Sequence, residues 1–345
     1  MPSFVRAAVA CASIVSTLTI FGPGAEAGQR LDAIRARGDL QCGLPAGGVP
    51  GFNIANAQGV WSGFNVDFCR AVAVAIFGDP DKVRFTPLTP VNRFTALQTN
   101  TVDILSSNVT ATFSRDARLR LDFAPVLFHD GQGFLARRSA NVTSARQLNG
   151  ASVCTSSGST AELNLADFAR ANNITMTPVV IEGMDDTRNA FFAGRCDAWF
   201  WDRTSLGAQR LLAPNPNDFV MLPEVASSEP LAPAIMKGDD EFSAIVRWTA
   251  YVLFLAEARG VTSQNIEQQR ASNDPEVRRL LGVIPGIGAD LGLDEAWAAN
   301  VIRRIGNYGE MFERHLGERT PLAIPRGRNI PATQPNGLLY FPPLR

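Results

Sequence analysis

Two successive runs of alternating short strands and helices, followed by a helical tail, predict an α/β protein built from two similar units. Three observations carry that class. A first run covers residues 39–106, a second covers 152–222, and after Pro233 the pattern changes to a long apolar-rich helix over 242–258. Strand–helix alternation implies sheets that are largely parallel, with helices on both faces. At 345 residues the chain is long enough for two domains of ordinary size.

The elements follow in order. Residues 39–44 read as a strand. Trp61-Ser62-Gly63 turns into Phe64-Asn65, where Asn65 is expected to cap a helix. Its apolar positions Cys69, Val72, Ala73, Ile76 and Phe77 have helical spacing, and Gly78 ends it. Residues 83–87 are a strand, 93–98 a helix, and 102–106 a buried strand. In the second run, 152–155 is a strand, and Ser159-Thr160-Ala161-Glu162 has capping-box spacing and opens a helix through Ala171. Then come a strand at 174–181, a helix at 185–193 closed by Gly194, a strand at 196–201, a helix at 205–212 and a strand at 219–222. The chain ends in a Pro/Gly-punctuated tail over 321–345.

Composition excludes several classes. Apolar residues are 46% and charged residues 19%, which is ordinary globular composition. The formal net charge of -1 gives no basic field for nucleic acid. Residues 1–27 read as a signal peptide: Arg6 is the positive start, 7–21 the apolar stretch, and Ala25-Glu26-Ala27 a cleavage site before Gly28. Cleavage removes Cys11 and leaves Cys42, Cys69, Cys154 and Cys196. An even number in an exported chain favours disulfides, and four cysteines allow three pairings. No Cys/His cluster suggests a metal, the only histidines are His129 and His315, and no cofactor is expected.

Ligands of open α/β sheets bind beyond the carboxyl ends of strands, and often between domains. The polar residues just after strands are therefore the candidates. Residues 103–116 run from an apolar strand into hydroxyl and amide side chains and then Arg115, whose fork suits a carboxylate. Gly158-Ser159-Thr160 offers free backbone N–H groups at a helix start. Asp202 directly follows a strand and could receive an ammonium group. Each also fits a plain structural role, as a solvated loop, a capped helix or an N-cap.

Eight segments, together and in order, carry a resemblance: GFNVDFCRAV at 63–72, RFTALQ at 93–98, SRD at 114–116, DGQGF at 130–134, ELNLAD at 162–167, AGRCD at 193–197, RRLLG at 278–282 and GNYGE at 306–310. On these the chain resembles the bacterial periplasmic amino-acid-binding proteins of ABC transporters, in their general L-amino-acid-binding branch. The resemblance implies a hinged, two-lobed periplasmic-binding-protein fold of type II with a helical C-terminal extension. It implies a monomer that hands an amino acid to a membrane permease. Residues 28–133 and 230–345 would form lobe one, and 134–229 lobe two. Arg115 would bind the ligand α-carboxylate, assisted by Ser159 and Thr160, and Asp202 the α-ammonium. Ser107, Asn108, Thr110 and Phe52 would line the same cleft. The expected disulfides are Cys42–Cys69 and Cys154–Cys196, each joining its lobe's opening strand to a nearby element.

Close relatives carry an arginine where this chain has Ser107 and a tryptophan where it has Ala111. Trp199-Phe200-Trp201 replaces small polar residues. Phe200 lies two residues before Asp202 on one strand, so both should project to the same side. These departures predict a narrower ligand set, favouring an apolar or aromatic side chain over an acidic one. Two other functions share the scaffold: a periplasmic dehydratase acting on an amino-acid-like cyclohexadiene, which needs a positioned acid or base, and a sensor ectodomain. Neither is expected to displace the receptor reading.

Overall fold

The computed structural model describes residues 28–345, so the expected signal peptide lies outside the described residues. The strands that position the site are, in chain order, β1 (Leu40–Pro45), β2 (Val83–Leu88), β3 (Ile104–Leu105), β4 (Leu121–Phe123), β5 (Phe128–Asp130), β6 (Gln132–Arg137), β7 (Ser152–Ser156), β8 (Thr177–Ile181), β9 (Ala198–Asp202), β10 (Phe219–Met221), β11 (Glu229–Leu231) and β12 (Ala234–Met236). The helices are α1 (Gln29–Arg37), α2 (Phe64–Phe77), α3 (Arg93–Gln98), α4 (Phe113–Ala117), α5 (Thr160–Ala171), α6 (Met184–Phe192), α7 (Arg203–Arg210), α8 (Asp240–Ala258), α9 (Ile266–Gln269), α10 (Pro275–Leu280), α11 (Trp297–Ile305) and α12 (Tyr308–His315).

Two five-stranded sheets result, β2-β1-β3-β12-β4 and β8-β7-β9-β6-β10. In the first, β1 is parallel to β2 and β3, and β12 runs antiparallel. In the second, β7 is parallel to β8 and β9, and β6 is the antiparallel strand. The chain crosses between the sheets at two neighbouring places, which pair as an antiparallel ribbon of β5 and β11 with Asp130 opposite Glu229. The strand β12 returns to the first sheet after the second is complete.

Local chemistry explains the helix bounds. Gly63 adopts φ 135°, and a Cβ there would sit 2.3 Å from the Phe52 carbonyl oxygen, so only glycine fits before α2. Asn65 is not the cap that was expected: it lies inside α2, and its Nδ2 donates to Asn108 Oδ1 at 2.9 Å. The capping box at 159–162 is also absent. Ser159 does stand at the N-cap, but its hydroxyl donates to the Ser156 carbonyl at 2.6 Å.

Both disulfides form as expected. Cys42 joins Cys69, tying β1 to α2, and Cys154 joins Cys196, tying β7 to the turn before β9, with Cα separations of 6.3 and 5.6 Å. Each stands inside its own lobe's apolar core. The helical extension completes the first core. Trp297, Tyr308 and Phe312 are fully buried there, and the Tyr308 ring meets Phe64 and Phe254 edge-on at 5.5 and 5.3 Å. Burial of each such side chain is worth roughly 1.5–3 kcal/mol, and the Tyr308 hydroxyl is satisfied by the Leu127 carbonyl at 2.7 Å. The tail also reaches the ribbon, where Asn329 accepts from the His129 N–H and donates to its carbonyl.

Candidate functional site

The parallel strands of both sheets end toward one interlobe cleft, and its two walls differ in kind. On the lobe-one wall the chain leaves β3 and runs beside the ribbon. Ala111 N–H donates to the Pro230 carbonyl and Ala232 N–H to the Val109 carbonyl. Asn108 takes φ 46°, a left-handed conformation that asparagine tolerates. Thr112 then caps α4 by accepting from the Arg115 N–H. This turn delivers Arg115 to the cleft, 7% exposed, with Nη1 on the Thr110 carbonyl at 2.8 Å. Arg93, from α3, lies alongside, 6% exposed, with Nη1 reaching the Ser107 carbonyl at 3.3 Å. Both guanidinium groups pack on the Phe94 ring, 4.8 and 5.1 Å from its centroid. The Nε of Arg93 has no hydrogen-bond partner among the described residues.

On the lobe-two wall, register places Gln132 opposite Asp202 and Phe134 opposite Phe200, so all four side chains share one face of the sheet. Helix α5 covers that face with the row Thr160, Asn164 and Phe168. At the far end the contact is apolar: Phe134 meets Phe200 at 4.7 Å and Phe168 at 5.0 Å. At the cleft end it is polar. Gln132 Nε2 donates to Asp202 Oδ1 at 3.1 Å and to Thr160 Oγ1 at 2.9 Å, while its Oε1 accepts from Asn164 Nδ2 at 2.8 Å.

Glu229, on the ribbon, joins the walls. It is 1% exposed, and its carboxylate accepts from Thr110 of lobe one at 2.6 Å and from Thr160 of lobe two at 3.1 Å. A second direct link runs from Gln209 Nε2 of α7 to the Gly48 carbonyl at 3.0 Å. A cavity of about 30 Å³ remains between the walls, lined among others by Val49, Arg93, Ser107, Asn108, Trp201, Asp202 and Ser205.

Among the described residues, neither Arg93 nor Arg115 forms an ion pair, and neither does Asp130, Asp202 or Glu229. Burial, and then the neighbouring Arg115, push Arg93 down to about 9. Burial also lowers Arg115, opposed by the fields of Glu229 and Asp202. Burial raises Asp202 well above the usual carboxylate range, reinforced by Asp130 and Glu229 and opposed by Gln132 and Arg93. Burial likewise raises Asp130 to about 6, although its carboxylate accepts from Gly131 and Thr204.

Of the candidates read from sequence, Arg115, Asp202, Thr160, Thr110, Asn108 and Ser107 are brought to the cleft, and Asp202 makes no capping bond to α7. Two expectations need correction, and a third is narrowed to its backbone groups. Phe200 is fully buried in the lobe-two core, because α5 lies over it. Phe52 is 1% exposed and packs edge-on against Phe64 and Phe128, which makes it a lobe-one core residue. Ser159 has its hydroxyl bound to its own turn. Conversely, Arg93, Gln132, Asn164 and Glu229 escaped the sequence reading. The one local hint was the i, i+4 spacing of Thr160 and Asn164. The Ser107 carbonyl accepts from Arg93.

The model of the bacterial extracellular solute-binding proteins, family 3, matches residues 42–269. The general L-amino acid-binding periplasmic protein AapJ of Rhizobium johnstonii is 46% identical, over 97% of this chain and 98% of its own. The glutamate/glutamine/aspartate/asparagine-binding protein BztA of Rhodobacter capsulatus is also 46% identical, over 93% and 95%. Among solved structures, an ABC transporter periplasmic binding protein from Brucella ovis with glutathione bound superposes with TM-score 0.89. It is 48% identical and covers 91% of this chain and 99% of its own. The chain therefore belongs to family 3 of the bacterial extracellular solute-binding proteins.

Proposed function

We propose that this protein is a periplasmic receptor that captures α-amino acids between its lobes and presents them to the membrane permease of an ABC importer. One observation carries the reading: the cleft holds buried charges of both signs with no ion-pair partner among the described residues. Arg93 and Arg115 stand on one wall and Asp202 on the other. A zwitterion supplies both missing counter-charges, its carboxylate to the fork of Arg115 and its ammonium to Asp202. Unpaired buried charge is costly. A ligand that touches both walls therefore favours the closed arrangement over the open one.

Arg93 supports a polar or acidic ligand side chain, since its Nε has no hydrogen-bond partner among the described residues and its side chain lines the cavity. This replaces the expectation of an apolar side chain, which depended on Phe200 facing the ligand. The relatives' names support the periplasm as the compartment, and the charge and apolar pattern of residues 1–27 supports their reading as the leader that directs export. No catalytic role is proposed. His129 stands in the ribbon, and His315 Nε2 lies 2.7 Å from Asp67 Oδ2 where α12 meets α2, so neither lines the cavity between the walls.

Thermal melts of ligand-free protein with each common L-amino acid test the reading. A ligand at 100-fold its dissociation constant adds about 2.7 kcal/mol, and glutamate, glutamine, aspartate or asparagine should give the largest shifts. If no L-amino acid raises the melting temperature, the receptor reading is wrong. Arg93→Gln should weaken glutamate about tenfold more than alanine, through loss of a charge-assisted bond. Equal losses for the two would remove Arg93 from side-chain recognition.

A further inference from the structure

The direction of every hydrogen bond around Glu229 can be assigned, and the assignment has a consequence for selectivity. A carboxylate only accepts. Its Oε2 accepts from the hydroxyls of Thr110 and Thr160, and its Oε1 accepts from the Ser227 hydroxyl at 2.5 Å and from the Asn164 amide Nδ2 at 2.9 Å. Because Asn164 must turn its amide nitrogen toward Glu229 and also donates to Gln132 Oε1, the Gln132 amide is oriented too, with its nitrogen toward Thr160 and Asp202. A hydroxyl has one proton. Thr110 and Thr160 have therefore spent theirs, and neither can donate to a ligand carboxylate as the family resemblance implied for Thr160. What the two hydroxyls have left, where the lobes meet at the ribbon, is lone pairs.

We propose that Glu229 is a positioning residue that sets ligand selectivity: by accepting from the Thr110 and Thr160 hydroxyls, it leaves this part of the cleft wall with hydroxyls that only accept, and so favours a protonated amine beside them. This rests on the amino-acid-receptor reading above. An ammonium group brings a positive charge and several donors to such a wall. A hydroxyl in the same place brings one donor and no charge, and its oxygen faces acceptor lone pairs.

The test compares L-glutamate with (S)-2-hydroxyglutarate, which differs only in replacing the amine by a hydroxyl. If another amino acid gives the largest thermal shift, it is paired with its own 2-hydroxy analogue. Calorimetric affinities are measured for the wild type, Glu229→Gln, Thr110→Val and Thr110→Ser. The wild type should prefer the amine at least 100-fold. Glu229→Gln keeps the shape but frees a hydroxyl proton and adds an N–H. Its preference should fall at least tenfold, with the hydroxy acid unchanged or tighter. Thr110→Val should lower the preference three- to tenfold, and Thr110→Ser should restore it. Equal losses for both ligands in Glu229→Gln would mark a merely structural role and overturn the proposal. If Glu229→Gln does not fold, an unchanged preference in Thr110→Val overturns it. A wild type that binds no L-amino acid removes the receptor reading itself, and the proposal with it.

Discussion

The two walls of the cleft solve opposite problems. The lobe-one wall presents cations whose contacts are two backbone carbonyls and one aromatic face, at Ser107, Thr110 and Phe94. The lobe-two wall presents acids woven into side-chain hydrogen bonds through Gln132, Thr160 and Asn164. Elsewhere the chain pairs its buried charge directly, as in Arg314–Asp67 at 2.6 Å and Arg326–Glu257 at 2.7 Å. The comparison teaches that the cleft is left electrostatically incomplete on each side, with donors facing acceptors across the space a zwitterion would fill. Completing it is what ligand binding contributes to closure.

The largest effect should come from removing a cation from the lobe-one wall. Arg115→Ala should weaken amino-acid binding by about 2–5 kcal/mol, because the ligand carboxylate is then buried without its partner. Arg115→Lys should recover little, since an ammonium lacks the planar two-donor fork. Near-native calorimetric affinity in Arg115→Ala would break the division into a donor wall and an acceptor wall.

A smaller effect, of opposite sign in the ligand-free protein, should come from the acceptor wall. In the fold, Asp202 and Asp130 titrate above the ordinary range, Asp130 at about 6. Between the ordinary carboxyl value of 3.8 and those raised values, the folded state binds more protons than the unfolded state. Their contribution to stability therefore falls as pH rises through that window. Asp202→Asn removes one acid of the cluster and its repulsion on the others. At pH 7 it should raise the ligand-free melting temperature by roughly 2–4 °C, the shift expected for about 1 kcal/mol in a protein of this class of size, while losing ligand stabilisation. Its advantage over wild type should shrink toward pH 4. A melting-temperature difference that does not vary with pH would show that the cluster carries no shared charge penalty.

The smallest effect on binding is predicted for Phe200→Leu. Loss of packing against Phe134 and Phe168 should cost about 1 kcal/mol of stability, yet affinity for glutamate should stay within twofold, since α5 separates that ring from the cleft. A larger affinity change, or a switch toward apolar ligands, would return Phe200 to the binding surface.

The errors of the sequence reading share a cause. Alternation on β9 correctly put Phe200 and Asp202 on one face, but a face is not a surface. Whether that face meets solvent or another element depends on α5, which reaches it from a different part of the chain. Phe52 failed in the same way, through Phe64 and Phe128. Asn65 and Ser159 had capping spacing, but each found a competing acceptor close by, Asn108 and the Ser156 carbonyl. Arg93 read as an ordinary member of a short helix because nothing local says that Ser107, fourteen residues on, turns its carbonyl toward it.

By itself the sequence determined the strand–helix order, the two units and their helical extension, and an even cysteine count. It also marked Arg115 and Asp202 as candidates after apolar strands, with a plain structural role left open for each, because periodicity and turn chemistry are local and survive without tertiary context. Only the tertiary structure decided that Glu229 receives Thr110, 119 residues away, and Thr160, 69 residues away. The physical reason is the double crossing of the chain through the β5–β11 ribbon. It brings one carboxylate against both lobes, and that carboxylate orients the hydrogen bonds of a wall whose members are scattered over a hundred residues.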